Sequence, residues 1–499
     1  MRRYIRGLIA GALCLALLLP MSVAAAAAPI HLKLGTKTLN VVPVLMQDGR
    51  AFAPYNTLFK ALGARAVYDA ASKTITAVSG TTTVVMPCSS GNITIIDREE
   101  TYDMYCAYPP IENTSTGKIY ISIRNAAQAL GYTVSWDGAA RTIVLGTVDE
   151  LMAKSGATYT VLDKYLDYNR SFLEKSHTLK GTFDYFMDMQ SLLYGNSENE
   201  DQPAVPSALT VNGTVSGLFD KGGEEMSLNL KTNLSDFTEM LESAEPLDDE
   251  TRALLSQLDS IDMSIIINNE TGMMYIKSPL LSSVYGISTD AWVSNETGNT
   301  ETNFGLDVLS MSGYSNLSMS DIAAAGGSFR DGVKQLLISQ LRTGNDNIEN
   351  VLNNINQLFS DQAMVRDGDS YVVSLSESET AGDDYGYTSQ LALKMVYSFS
   401  GETFTGLSLS LTDDATYRYS DADVETYRTE MLFAYSTDGH GSLVLKDAVN
   451  DVTRQALNIS FTYADTTQTP AREPAAGSTV ISADDLYAPD EQEVPQETT

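Results

Sequence analysis

Three histidines, three cysteines and a large surplus of carboxylates are the residues of this 499-residue sequence that could do chemistry. His31, His177 and His440 lie far apart, and no two of them have the spacing of a helical metal-ligand pair. A serine hydrolase needs a Gly-x-Ser-x-Gly elbow, and nucleotide sites need a Walker or dinucleotide glycine loop; neither pattern is present. Acidic pairs occur at Asp367-Gly-Asp369, Asp383-Asp384 and Asp421-Ala-Asp423. Their residue types suit calcium or glycosidic chemistry, but none has the spacing of a twelve-residue calcium loop. With 64 Asp and Glu in the chain, such pairs arise from composition and read as solvated turns. The expectation is therefore no catalytic residue, no cofactor and no metal site, and a protein that is not an enzyme.

The cysteines bear on compartment rather than catalysis. Arg2, Arg3 and Arg6 precede an apolar run from Leu8 to Leu19, and Ala24 to Ala28 offer small-residue cleavage sites. Residues 1–28 read as a signal peptide, too short in its apolar run to span a bilayer, with Cys14 a passenger in that run. Cys88 and Cys106 then remain in the mature chain, where an oxidising compartment makes them a disulfide candidate. No later stretch is long and apolar enough for a transmembrane helix, so the expected location is extracellular or at the cell surface. A net charge of −32 argues against nucleic acid and anionic membrane surfaces as partners. A cell-envelope polymer or a lipid is the expected partner.

The elements that would position any site are organised around a repeat. Arg50–Ile75 and Lys118–Ile143 align at an offset of 68 residues (131 − 63), placing Ala-Leu-Gly63 on Ala-Leu-Gly131, Tyr68-Asp69 on Trp136-Asp137 and Lys73-Thr-Ile on Arg141-Thr-Ile. Each copy reads as strand, short helix and hairpin. The glycine after each helix suits a left-handed C′ position. Asp137-Gly138 signals the hairpin turn. Tyr68 and Trp136 read as core anchors beside those turns.

This pattern resembles the copper amine oxidase N-terminal-like domain, a small α+β stalk module with a duplicated motif. The resemblance covers residues 30–147, including His31-Leu-Lys-Leu-Gly-Thr-Lys-Thr-Leu39, Val42-Pro43 and both Ala-Leu-Gly units. The family's Val-Pro-Leu-Arg is altered here to Phe52-Ala-Pro54-Tyr55 and Ile121-Ser-Ile-Arg124. The resemblance implies no oxidase activity. The enzymes of that name bind copper through three histidines in a separate catalytic domain, which has no counterpart in this sequence.

Beyond Gly146 a helical stripe runs from Asp149 to Ser176, with Leu162, Tyr165, Leu166, Phe172 and Leu173 on one face and Gly156 weakening its start. Period-two alternation follows, as in Phe183, Tyr185 and Met187, in Met226, Leu228 and Leu230, and in Leu457, Ile459 and Phe461. Helices at Asp236–Leu258 and Ser318–Phe359 interrupt it. Residues 150–465 thus read as a large antiparallel half-barrel sheet with helices on one face. That order resembles the LolA/LppX-like lipoprotein-carrier fold, whose members hold an acyl chain between sheet and helices. Residues 466–499 read as a disordered acidic tail. The fold class expected is α+β. Two functions stand: a non-catalytic surface or secreted binding or structural protein, with the stalk presenting the half-barrel, and a carrier of lipid or another hydrophobic ligand.

Overall fold

The computed structural model describes residues 30–41, 45–47, 49–98, 100–189, 208–238, 242, 246–296, 327–381, 386–420 and 424–487. The signal peptide at 1–28, Val42-Pro43, Asp383-Asp384, Asp421 to Asp423 and residues 488–499 lie outside them. The chain divides into two compact units, one of residues up to Gly156 together with Lys334–Leu352, the other of Ala157–Val333 and Asn353 onward. Among the described residues no helix is long and apolar enough to cross a membrane.

The first unit holds strands β1 (His31–Leu34), β2 (Lys37–Thr38), β3 (Leu45–Gln47), β4 (Arg50–Pro54), β5 (Arg65–Asp69), β6 (Thr74–Ser79), β7 (Thr82–Pro87), β8 (Asn92–Asp97), β9 (Glu100–Tyr105), β10 (Ile111–Asn113), β11 (Lys118–Ser122), β12 (Tyr132–Asp137) and β13 (Thr142–Thr147). Helices α1 (Tyr55–Ala61), α2 (Ile123–Ala129) and α3 (Val148–Ser155) complete it. Each repeat folds as its sequence predicts: β4-α1-β5-β6 and β11-α2-β12-β13. The leading strands β4 and β11 pair antiparallel, Ala53 opposite Ile121. The hairpins then part. β5-β6 opens a five-stranded sheet running to β9, whereas β12-β13 joins β1 and β2, with β13 parallel to β1.

Local chemistry explains the repeated shape. Gly63 and Gly131 have φ of 83° and 81°, values that cost a side chain steric energy and cost glycine none. Asp69 accepts from the Ala71 N–H at 2.9 Å and Asp137 from the Ala140 N–H at 3.0 Å, closing both hairpin turns. Ala126, Ala127 and Ala129 on α2 are fully buried, and they join one core with Leu58, Phe59, Ile75, Ile95 and Ile121.

Segment 334–352, which the sequence reading placed in the second domain, belongs with this unit. Arg342 is buried, its Nη2 2.7 Å from Asp97 Oδ2 and donating at 3.1 Å to Thr82 Oγ1, with its guanidinium 5.3 Å from the centre of the Tyr102 ring. Burial acts to raise the Asp97 carboxyl, but hydrogen bonds from Thr81 and Arg342 and the nearby Arg charges outweigh it, and its pKa lies below the ordinary value. Burial and the hydrogen bond to Glu100 push the Tyr102 hydroxyl up to about 12. Lys334 donates to Asp149 at 2.6 Å.

The second unit is mostly β. The predicted helix at 149–176 is divided: α3 has a Thr147–Glu150 capping box and ends at Gly156 with φ of 66°, and α4 (Thr160–Leu173) begins afresh. A single sheet then takes β14 (Ser176–Asp188), β15 (Ala208–Asp220), β16 (Gly223–Thr232), β17 (Ser260–Asn268), β18 (Met273–Lys277), β19 (Trp292–Glu296), β20 (Val365–Asp367), β21 (Ser370–Ala381), β22 (Tyr387–Ser400), β23 (Thr403–Arg418), β24 (Val424–Ser436), β25 (His440–Val449), β26 (Val452–Thr466) and β27 (Val480–Ser482). Its order is β20-β21-β22-β23-β24-β25-β26-β14-β15-β16-β17-β18-β19-β27, antiparallel except at the last pair. Helices α5 (Asp249–Leu258), α6 (Pro279–Tyr285) and α9 (Ala483–Tyr487) interrupt or follow the strands, and α7 (Phe329–Arg342) and α8 (Ile348–Phe359) are each divided between the units, residues 334–352 belonging to the first. The pattern at 236–258 breaks near Pro246 and restarts at Asp248, and that restart is α5, capped by Asp248, which accepts from the Thr251 N–H at 2.7 Å; residues 239–241 and 243–245 of this stretch and 318–326 of the other lie outside the described residues.

Two cross-strand pairs put an aromatic ring over a glycine. A Cβ on Gly213 would meet the Phe183 ring at 2.9 Å, and one on Gly441 would meet the Phe461 ring at 2.1 Å. Glycine here gives the ring its seat and lets the sheet coil.

The tail departs from its expected disorder as far as residue 487. β27 pairs with β19, Val480 opposite Trp292; the Ala471 N–H donates to Glu225 Oε2 at 2.9 Å, and Arg472 pairs with Asp220. The reason is the free backbone edge of β19, which three residues suffice to cover. Composition averaged over the tail hides so short a strand.

Candidate functional site

The residues singled out for chemistry are scattered. His177 is fully buried, its ring stacked on Phe172 at 3.8 Å between centres and its Nε2 2.7 Å from the Phe172 carbonyl oxygen. His440 is exposed, with Nδ1 3.1 Å from Asp438 Oδ1. His31 is exposed on β1 of the other unit. Asp367 and Asp369 flank the exposed β20-β21 turn. Among the described residues no three His, Cys, Asp or Glu side chains are grouped to hold a metal.

Cys88 and Cys106, the disulfide candidate, are free thiols. Cys88 follows β7 and Cys106 follows β9, and β8 runs between those strands. Two strand spacings amount to roughly 10 Å, beyond the Cα separation a disulfide bridges. Cys106 Sγ instead donates to the Tyr108 carbonyl oxygen at 2.9 Å and sits 3.2 Å from Asn125 Oδ1. Burial raises the pKa of both thiols. Oxidation of the pair would require the two sulfurs to meet, and in this structure each thiol stands free.

Chemistry-bearing side chains do converge in the first unit, where the sequence reading named no site. The start of β4, the start of α2 and the tip of the β12-β13 hairpin enclose a groove of about 400 Å³. Ser122 accepts from the Asn125 N–H at 3.3 Å, which starts α2 at Ile123 and sets Arg124 in its first turn. Arg124 Nη1 lies 2.8 Å from Asp346 Oδ2, and Gln128 Nε2 donates to Asp346 Oδ1 at 2.6 Å, so Asp346 is held from two sides. Arg50 is exposed at the first residue of β4, its guanidinium 5.3 Å from the centre of the Tyr108 ring. Ile30, Val134 and Ile143 supply apolar wall.

Trp136 is the correction that matters. It was expected in the core, yet it is 52% exposed and lines this groove. Tyr68, its counterpart, does pack against the core beside Tyr55, with ring centres 6.4 Å apart. A usable signal was present in the repeat alignment. At matched positions Asn56 becomes Arg124 and Tyr68 becomes Trp136, so the second copy gains a cation and a larger aromatic face.

A second, more open concavity of about 810 Å³ lies in the other unit. Ser408, Ser442, Ser460 and Thr182 line it with Lys180 and His440. Leu407 and Tyr435, both buried, line it as well. Ser436, also in its lining, donates to the Asp438 carboxylate, whose Oδ1 lies 3.1 Å from His440 Nδ1.

The first unit is thus a duplicated α+β module with a groove of ligand size among its described residues, and the second is a large, mostly antiparallel sheet. Residues 34–145 match the family model described as the copper amine oxidase N-terminal domain, so the chain carries that domain at its N-terminal side. No curated protein matches the chain.

Proposed function

We propose that this is a secreted or cell-surface protein of a bacterium that binds or supports rather than catalyses, its N-terminal domain serving as a stalk for the large sheet. In this reading the sheet is a half-barrel with helices on one face. The observation that carries it is the filled core under α4. Tyr165 meets Phe404 at 5.1 Å and Tyr397 at 6.1 Å between ring centres, Tyr168 meets Phe404 at 5.2 Å, and Tyr435 donates to Asn169 Oδ1 at 3.2 Å. Desolvation drives the Tyr397 and Tyr435 hydroxyls far above the ordinary phenol value, which keeps them neutral packing groups rather than acids or bases. Fractionating the host culture tests the reading. The protein is expected outside the cytoplasm with a mature start between Ala25 and Pro29; a cytosolic protein retaining Met1 would refute it.

A carrier of lipid or another hydrophobic ligand is the second reading. It is favoured by the apolar side chains of β14 to β17: Phe183, Met187, Met226, Leu228, Met263 and Ile265 are only partly buried. Native mass spectrometry of protein from its own host decides between them. A bound acyl chain favours the carrier, and a bare mass favours the first reading.

A further inference from the structure

We propose that the groove formed by Arg50, Arg124, Asp346 and Trp136 binds a sugar unit that carries a carboxylate. The inference names a ligand class for the binding role above and rests on that role only for its setting.

Each side chain has a distinct task. Trp136 exposes half of an indole face at the lip of the groove, and an indole face is the side chain best suited to cover the C–H face of a pyranose ring. The protein spends little stability on that exposure, because the hairpin is already fixed by the Asp137 turn and by six pairs between β12 and β13. Arg124 and Asp346 form one donor–acceptor couple, 2.8 Å apart and both exposed, and Gln128 fixes the far oxygen of Asp346. Such a couple can donate to one ring hydroxyl and accept from its neighbour. Arg50 is the remaining charge. It is exposed, rests against the Tyr108 ring, and among the described residues has no carboxylate within ion-pairing distance. A guanidinium in that position pairs bidentately with a ligand carboxylate.

Charge favours this choice over a neutral sugar. The whole chain carries −32, yet among the described residues this groove brings two guanidinium groups to one carboxylate. A net positive spot on so acidic a protein selects an anionic group. Its size, about 400 Å³, is that of a small-molecule site rather than a protein-docking surface. The mixed lining also disfavours an acyl chain, which would leave Arg50 desolvated without a partner.

The test uses the full-length mature chain and fluorescence. The sequence has two tryptophans, so Trp292→Phe leaves Trp136 as the one reporter. Oligogalacturonate is the anionic probe and the matching neutral galactose oligomer the control. A saturable change in Trp136 emission with the anionic probe alone is expected. Arg50→Gln should weaken it about tenfold, the scale of one charge-assisted contact. Arg124→Ala should weaken both the anionic and any residual neutral response, while the melting temperature of each variant stays that of the parent. In a Trp136→Ala chain, calorimetry should register no binding. An equal response to the neutral oligomer, an undiminished response in Arg50→Gln, or no response at millimolar probe overturns the proposal. Any of these leaves the surface-protein reading to its own fractionation experiment.

Discussion

The two copies of the repeat share their local geometry and differ in their surroundings. Both end their helix on a glycine near φ of 80°, both close the hairpin with an aspartate, and both place a basic residue at positive φ before the returning strand, Lys73 at 51° and Arg141 at 47°. Yet the first hairpin is continued by three more strands, and its Tyr68 packs on the core. The second hairpin meets β1 instead and leaves Trp136 half exposed. Duplication therefore fixed a frame, and the neighbours of each frame decided whether its aromatic residue holds the fold or faces a ligand.

The largest effect separating the copies is expected from segment 334–352. It reaches the first copy's sheet through the buried Arg342–Asp97 pair and the second copy's helix through the exposed Arg124–Asp346 pair. Arg342→Ala should destabilise the first unit by about 3 kcal/mol, because it strands a half-buried carboxylate. Arg124→Ala should cost under about 1 kcal/mol, as exposed pairs do. Equal losses in denaturant melts would show that the two anchorages do not differ.

Next come the aromatics. Tyr68→Ala is expected to lower the melting temperature by a few degrees, and Trp136→Ala to leave it within about 1 °C of the parent. A large loss for Trp136→Ala would return that residue to the core role its sequence pattern suggested.

The glycines should behave alike. Gly63→Ala and Gly131→Ala each force a side chain into left-handed backbone and are expected to cost about 1 kcal/mol. A Cβ at Gly63 meets open space, and one at Gly131 meets Ile338 at an ordinary 3.6 Å. A difference beyond a few tenths of a kcal/mol would break the equivalence of the copies.

The smallest effect is in acid. Asp97 has a depressed pKa in the folded unit, and an unfolded aspartate titrates near 3.9. Its contribution is complete above that pH and is lost as pH falls through the lower folded value. Melting temperatures followed from pH 6 down to pH 3 should therefore fall less steeply below about pH 4 in Arg342→Ala than in the parent. Parallel curves would remove Arg342 as the cause.

The sequence alone was enough for whatever depends on neighbours along the chain. The glycine after each helix, the aspartate turns and the alternation in β14, β16 and β26 are local, and each stands where the residues place it. The helix break at Gly156 is half legible, since the glycine stands in the sequence but the Thr147–Glu150 box that starts α3 is confirmed as a reciprocal pair only by the folded geometry. Long-range assembly was not legible. Whether Trp136 is covered depends on which strand lies beside its hairpin. Whether Cys88 meets Cys106 depends on β8 passing between them, and whether residues 480–482 form a strand depends on a free edge at β19. The membership of 334–352 in the first unit depends on Arg342 finding Asp97, 245 positions away (342 − 97). Backbone propensity acts over a few residues. Burial, pairing and charge partners are set by chain segments that only the folded structure brings together.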